Sequence, residues 1–337
     1  MQYKRVYVLC PANVITGGVE LMHQLVDFLN NHKRPAYVVY FGEGNLNAIP
    51  DAYKKYNIKV AEKAPDEETA FIVFPEGFLY LSQSYKKAQK MFWWMSVDNF
   101  YKLSGYNISL KDLFEWDKKR FFIEAARRVI KHKEYVGTEK ISIAELVNAN
   151  AINAYQSEYA RFFLSNHHFT NMVPLSDYIN QEYLTTQTDT TKEKVVLYNP
   201  KKGYAFTKKI MKLAPDIQWV PLINLTREQM RDKLMHSMVY VDFGNHPGKD
   251  RIPREAAISG CCIITGRRGA AGNPVDVMIP SYYKYDDKQS SISGIVSCIR
   301  DIFTDYEKHY REQEEYREKI RHEKEVFESE IKQMFDL

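Results

Sequence analysis

Apolar residues along this chain fall into short continuous runs that alternate with stretches where they recur every three or four positions. Arg5–Cys10 (RVYVLC), Ala36–Phe41 (AYVVYF), Ala70–Pro75 (AFIVFP), Lys90–Ser96 (KMFWWMS) and Ile152–Ser157 (INAYQS) are runs of the first kind. Short, valine-rich and bounded by breakers, they predict buried parallel strands. Val19–Asn31 repeats apolar residues at Leu21, Leu25, Phe28 and Leu29 and predicts a helix, as does Phe121–Lys131. Trp93 and Trp94 are adjacent, so a strand sends them to opposite faces, and both are expected in the core.

A polar stretch, Leu184–Lys194 (LTTQTDTTKEK), marks the clearest change of composition, and a second alternating set follows it. Val195–Pro200, Ile217–Leu222, Met238–Phe243 and Cys261–Thr265 predict strands. Ala205–Pro215 predicts a helix stopped by Pro215, another begins after Thr226 as N-cap, and a third opens at Arg254. Strands alternating with helices argue for parallel α/β sheets. The architecture therefore reads as α/β, with two doubly wound domains in succession: residues 1–160, residues 161–305, and a charged tail, 306–337. In the tail, Tyr306, Tyr310, Tyr316, Ile320, Phe327 and Ile331 keep a roughly helical spacing, which predicts an amphipathic helix or helices packed on the body.

Bulk properties narrow the classes. The 337 residues suit two domains. The net charge of +4 gives no ground for a nucleic-acid partner, and the basic residues cluster in loops rather than along one face. No apolar run is long enough for a transmembrane helix, although peripheral contact with a membrane stays open. The N-terminal run stops at Pro11 and reads as a strand, not a leader, so a cytoplasmic protein is expected. Cys10, Cys261, Cys262 and Cys298 lack metal spacing and are expected as reduced thiols.

Candidate chemistry collects at the carboxyl ends of the predicted strands, where ligands of open α/β sheets bind. Pro11–Leu25 places Thr16-Gly17-Gly18 before the first helix, where free N–H groups accept an anion; a plain strand-to-helix turn is the alternative. No G-x-G-x-x-G or P-loop is present, which argues against a dinucleotide oxidoreductase. Tyr198–Phe206 brings Lys201, Lys202 and Gly203 to the equivalent place in the second half. The loop after Phe243 carries His246, Lys249, Asp250, Arg251, Arg254 and Glu255, and reads either as a ligand site or as an internal Lys249/Arg251/Asp250/Glu255 ion-pair network. Gly266–Asn273 adds Arg267, Arg268 and Gly269. Should the two sheets face each other, these loops line one glycine-rich, cationic cleft fit for a nucleotide diphosphate.

With these motifs, TGGVELMHQLVDFL, YNPKKG and HPGKDRIPREAAISGCCIIT, the chain resembles glycosyltransferases of the GT-B fold, similar to the family-4 group, over roughly Lys4 to Phe303. The resemblance implies two Rossmann-like domains around a central cleft. It implies transfer of a sugar from a nucleotide-diphosphate donor to a carbohydrate or glycolipid acceptor, in polysaccharide or glycoconjugate synthesis. The family's P-x-E-A-x-x-x-G motif matches Pro253–Gly260, which implies that Glu255 holds the ribose hydroxyls. It also implies that Gly17 and Gly18 approach the donor phosphates and that Lys201 or Lys202 faces the diphosphate. Further donor contacts are expected from His246, Asp250, Arg254 and Gly269, and catalytic contributions from Asp98, Arg251 and Lys249. Asp98 and Glu76 are acceptor-side candidates, or helix caps. The family's second glutamate, eight positions before Glu255, is replaced by Pro247; His246, Lys249, Asp250 and Arg251 are the candidates to stand in for it. No Asp-x-Asp follows a strand, so no metal and no cofactor are expected; the stereochemical outcome does not carry over from the resemblance, and retention is favoured over inversion. A non-catalytic nucleotide-sugar-binding protein of the same fold is the alternative, favoured by Pro247.

Overall fold

The computed structural model describes residues 3–103, 114, 118–130, 141–185 and 191–337. The chain divides into two compact units. The first comprises Met1–Gln156, Ala160–Leu175 and Glu328–Leu337, the second Ser157–Tyr159 and Ser176–Phe327. Five residues of the polar stretch, 186–190, and Lys131 at the end of the expected helix lie outside the described residues.

In the first unit a parallel sheet is built from β1 (Arg5–Pro11), β2 (Ala36–Phe41), β3 (Ala70–Pro75), β4 (Gln89–Trp94), β5 (Ile152–Tyr155) and β6 (Met172–Pro174), in the order β2-β1-β3-β4-β5-β6. The helices assigned along this stretch are α1 (Gly17–Asn31), α2 (Val97–Leu103), α3 (Lys118–Ile130), α4 (Ile143–Val147) and α5 (Glu158–Asn166). All of β3 is buried, as a strand covered on both faces requires. Trp93 and Trp94 are fully buried and each satisfies its indole N–H, on Leu175 O at 3.1 Å and Asn153 Oδ1 at 3.2 Å. Sequence patterning passed over β6, which has only three residues.

The second unit holds β7 (Glu193–Tyr198), β8 (Gln218–Pro221), β9 (Ser237–Asp242), β10 (Cys262–Gly266) and β11 (Lys284–Tyr285), parallel and ordered β11-β10-β9-β7-β8. Its helices are α6 (Tyr204–Leu213), α7 (Arg227–His236), α8 (Arg251–Ile258), α9 (Ile292–Thr304), α10 (Tyr306–Glu312), α11 (Glu314–Arg321) and the start of α12 (Glu323–Phe335). Thr226 caps α7 in a reciprocal box with Gln229. The core lies between β7, β9 and β10 and the buried face of α9, whose Ile292, Ile295, Val296, Ile299 and Ile302 keep helical spacing.

The tail is three helices. Gln313, between α10 and α11, is buried; its side chain donates to Ile263 O (3.0 Å) and accepts from Ile263 N (2.8 Å), satisfying a stretch of β10 that the two-residue β11 does not reach. The last residues belong to the first unit, where Phe335 packs on Tyr3 and Phe71 and its carbonyl accepts from Arg34. All four cysteines are free thiols.

Each sheet has one place where the strand order reverses. In the first it falls between β1 and β3, in the second between β7 and β9. Crevices at such switch points, outside the carboxyl ends of the strands, are where open α/β sheets bind ligands.

Candidate functional site

In the second unit the switch point is lined by the turn after β7, the loop after β9 and the segment after β10. Asp242 ends β9, buried, and accepts hydrogen bonds from Tyr240 Oη and from the Gly244 amide, both at 2.9 Å. Burial works to raise its carboxyl, but His246, the Gly244 amide and Lys202 outweigh it and hold Asp242 below the ordinary carboxylate range. The His246 ring is 1% exposed and lies between two carboxylates. Its Nε2 stands 3.3 Å from Asp242 Oδ1, its Nδ1 3.4 Å from Asp250 Oδ2, and neither nitrogen makes a hydrogen bond. The Lys202 ammonium closes the row by binding Asp250 Oδ2, and both side chains are partly open to solvent.

The segment after β10 fixes the histidine through its backbone. Ala270 N donates to His246 O at 2.8 Å, and His246 pairs with Gly269 as an isolated parallel bridge. Gly269 has φ +65°, and a Cβ there would stand 2.0 Å from His246 O, so this position demands glycine for the chain's own packing.

Lys249 and Arg254 turn away from this row into a second, buried cluster. Arg254 donates Nη1 to Asp177 Oδ1 (3.0 Å) and Glu323 Oε2 (2.7 Å), Nη2 to Asp177 Oδ2 (2.6 Å) and Lys249 O (2.9 Å), and Nε to Asp250 O (3.2 Å). A guanidinium has five N–H groups, so all are committed. Lys249 Nζ lies 3.2 Å from Asp177 Oδ1 and 3.3 Å from Glu323 Oε1. Burial disfavours charge on Asp177, yet Arg254 and Lys249 hold its carboxyl down at about 2. The same carboxylates hold the Lys249 ammonium above its ordinary range against burial.

An internal network, the expected alternative for Lys249, is present: Lys249 and Arg254 pair with Asp177 and Glu323, two carboxylates not among its expected members. A second difference concerns helix α8, which starts at Arg251 with Asp250 at the N-cap, not at Arg254. Pro253 sits in the first turn, where its missing N–H has no intrahelical partner to lose. Glu255 is consequently in the second turn, half-buried, and the helix N-terminus does not account for its charge. Arg251 is half-buried in the first turn; Lys201 is exposed, its amide bonded to Asn199 Oδ1 at 3.0 Å. Beyond β10, Arg267 donates to Ser281 O at 3.0 Å, while Arg268 donates to Phe243 O and pairs with Asp287 Oδ2, each at 2.5 Å.

Gly17, Gly18, Glu76 and Asp98 belong to the first unit. Gly17 and Gly18 open α1 behind the Thr16 cap, at the β1/β3 switch point. A Cβ on Gly18 would meet only Met95, at 3.7 and 3.8 Å, which is ordinary contact, so neither backbone nor packing there requires glycine. Asp98 is buried in the first turn of α2. Glu76 follows β3, buried; desolvation pushes its carboxyl up to about 8 despite the Met95 amide at 3.4 Å.

Asp242, Asp177 and Glu323 were not singled out from sequence. Asp242 had a signal, an acid ending a buried strand at the switch point. Asp177 and Glu323 had none, being 77 and 69 residues from Arg254. A metal would find Asp242, His246 and Asp250 with ligand atoms within 4.8 Å of one another. The imidazole, however, turns a different nitrogen to each carboxylate, and Lys202 already occupies Asp250. The set suits a row of alternating side chains better than one ion.

No family model and no curated protein matches the chain. Solved structures do. TarM from S. aureus, solved with fondaparinux, alpha-GlcNAc-glycerol and UDP, aligns at TM-score 0.54 and 13% identity over 81% of this chain, which spans 56% of TarM. Sucrose-phosphate synthase from Thermosynechococcus elongatus aligns at 0.62 and 12% over 99% of this chain and 98% of its own. Anabaena HepE, in complex with UDP-glucose, aligns at 0.60 and 10% over 99% and 100%. At such identities the likeness establishes the fold: two Rossmann-like units of the GT-B type.

Proposed function

We propose that this protein is a glycosyltransferase that moves a sugar from a nucleoside-diphosphate donor to a hydroxyl of a carbohydrate or glycolipid, in polysaccharide or glycoconjugate synthesis. The observation that carries the reading is the row Lys202–Asp250–His246–Asp242 at the switch point of the second unit, where a partly open ammonium rests on a carboxylate. The GT-B fold and the nucleotides bound by TarM and HepE support it.

The chemical demand is the negative charge that develops on the departing diphosphate. Lys202 meets it by exchanging Asp250 for a phosphate oxygen, while His246 still faces Asp250. Arg251 and the N-terminal end of the α8 dipole add positive potential without a metal ion. Glu255, one turn on, accepts from the ribose hydroxyls. In the first unit the opening of α1 is the anion-accepting end, with Gly17 and Gly18 leaving room for close approach. Asp98 is the acceptor-side carboxylate. Glu76 is protonated at neutral pH and so donates rather than accepts a proton. Lys249 and Arg254 act as scaffold for the loop. Transfer with retention needs no protein base in the manner of inversion, and it is the outcome proposed.

A thermal-shift screen against UDP, ADP, GDP and CDP tests the reading, because a ligand of the native state raises the unfolding temperature. One diphosphate is expected to do so; no shift with any of them removes the reading. Pro247 favours a second reading, a non-catalytic binder. A shift without turnover on a panel of nucleotide sugars and acceptors would select it.

A further inference from the structure

Asp250 stands at the N-cap of α8, a place where an aspartate ordinarily accepts from the second or third amide of its helix. Its side chain makes no such bond. The third helical residue is Pro253, which has no N–H to offer. The carboxylate reaches out of the loop instead, to the Lys202 ammonium. Its main chain stays anchored, because Arg254 Nε donates to Asp250 O at 3.2 Å and Arg254 Nη2 to Lys249 O at 2.9 Å. The His246 ring lies beside the carboxylate. Its Nδ1 is buried, makes no hydrogen bond and stands 3.4 Å from Asp250 Oδ2, the oxygen that meets Lys202. One loop carboxylate therefore has a cation in hand and a second nitrogen within a small rotation. Lys202 keeps 33% and Asp250 20% of its side-chain surface open to solvent, so a ligand can reach the pair.

We infer that Asp250 is an internal competitor for the diphosphate: it holds Lys202 while the site is empty, weakens the nucleotide's grip, and hastens product departure by returning to Lys202. Resting on Lys202 as the cation of the departing diphosphate, this role gives Asp250 the opposite sign from the donor contact expected at that position. A carboxylate paired with an ammonium offers acceptors only, and so does a diphosphate, so the two have no hydrogen bond to share. Both need the same ammonium. Lys202 Nζ has three N–H groups, but two anions gathered on it stand close enough to repel each other. Entry of the diphosphate therefore costs the Lys202–Asp250 pair, and departure restores it. The displaced carboxylate keeps His246 Nδ1 beside it, which limits that cost. Product release is the slow step of many enzymes, and a side chain that reclaims the cation shortens it.

Titration calorimetry with UDP, ADP, GDP and CDP on the wild type and on Asp250→Asn tests it. The asparagine keeps the shape and removes the charge. Affinity for whichever diphosphate binds should rise about two- to fivefold, the worth of a partly exposed ion pair, and stopped-flow displacement should show a correspondingly slower release. Asp250→Ser, which keeps a residue favoured at an N-cap, repeats the test. Neither variant loses a capping bond, so the unfolding midpoints should stay close to that of the wild type. In a Lys202→Ala background the gain should shrink toward none, because the contested ammonium is gone. Unchanged or weaker diphosphate binding by both variants overturns the competitor role, while wild-type binding keeps the sugar-transfer reading. So does a full gain without Lys202, which would reduce Asp250 to background charge. Weaker binding confined to nucleotide sugars also overturns it and makes Asp250 a sugar contact. No diphosphate binding by wild type or variants removes both the competitor and the reading it rests on.

Discussion

The second unit contains two clusters of charge fed by neighbouring residues of one loop, and they differ in what is left over. Around Arg254 every guanidinium N–H has an acceptor, and the two carboxylates it binds, Asp177 and Glu323, are buried. Around His246 both ring nitrogens lack hydrogen bonds, and Lys202 and Asp250 open to solvent. Cations in a loop at a strand end therefore do not announce a ligand by their number. The ratio of donors to acceptors already present decides: the saturated group is scaffold, and the unsaturated one has capacity to bind.

The sharpest way to break this contrast is Arg254→Ala. It leaves Asp177 and Glu323 buried beside one ammonium, so denaturant unfolding should show a loss of about 3–5 kcal/mol. An Arg254→Ala protein that is stable but unable to bind nucleotide would move Arg254 to the ligand side. Acid titration examines the same cluster. Asp177 is held at about 2, below its value in the unfolded chain. Its contribution is thus complete above roughly pH 4 and drains away as pH falls toward 2. Asp177→Asn should flatten that part of the stability curve; parallel curves for the two proteins would contradict the assignment.

Gly269→Ala should cost roughly 2 kcal/mol or more, through a strained φ and a collision with the His246 carbonyl. Lys202→Ala is the counterpart of Arg254→Ala. Stability should change by no more than about 1 kcal/mol, because the pair is partly exposed. Calorimetry should show nucleoside-diphosphate affinity down by about tenfold or more. Wild-type affinity would return Lys202 to a surface ion pair. The smallest change is expected from Gly18→Ala, within about 0.5 kcal/mol in stability. A several-fold weaker diphosphate complex would then mark Gly18 as glycine for a ligand's sake, where Gly269 is glycine for the chain's.

Much of the fold was legible because its longer strands are continuous apolar runs; β2 and β3 end where the pattern ends. Short pieces were not: β6 and β11 have three and two residues, too few to show a period. The start of α8 lies three residues before the expected Arg254, because a proline such as Pro253 is tolerated inside a first turn. In the site, the positions of Lys202, His246, Asp250 and Gly269 at strand ends could be read from order alone. Which way Lys249 and Arg254 point could not, since it depends on Asp177 and Glu323, carboxylates far along the chain whose neighbours give no hint of them.

The side-chain amide of Gln313 on Ile263 has a consequence for the company this protein keeps. An exposed ladder of unpaired backbone groups invites a strand from another molecule. By supplying one donor and one acceptor where the neighbouring strand falls short, Gln313 imitates a rung of sheet and denies that margin to strangers. A single amide thereby guards against aggregation at a cost of no extra strand.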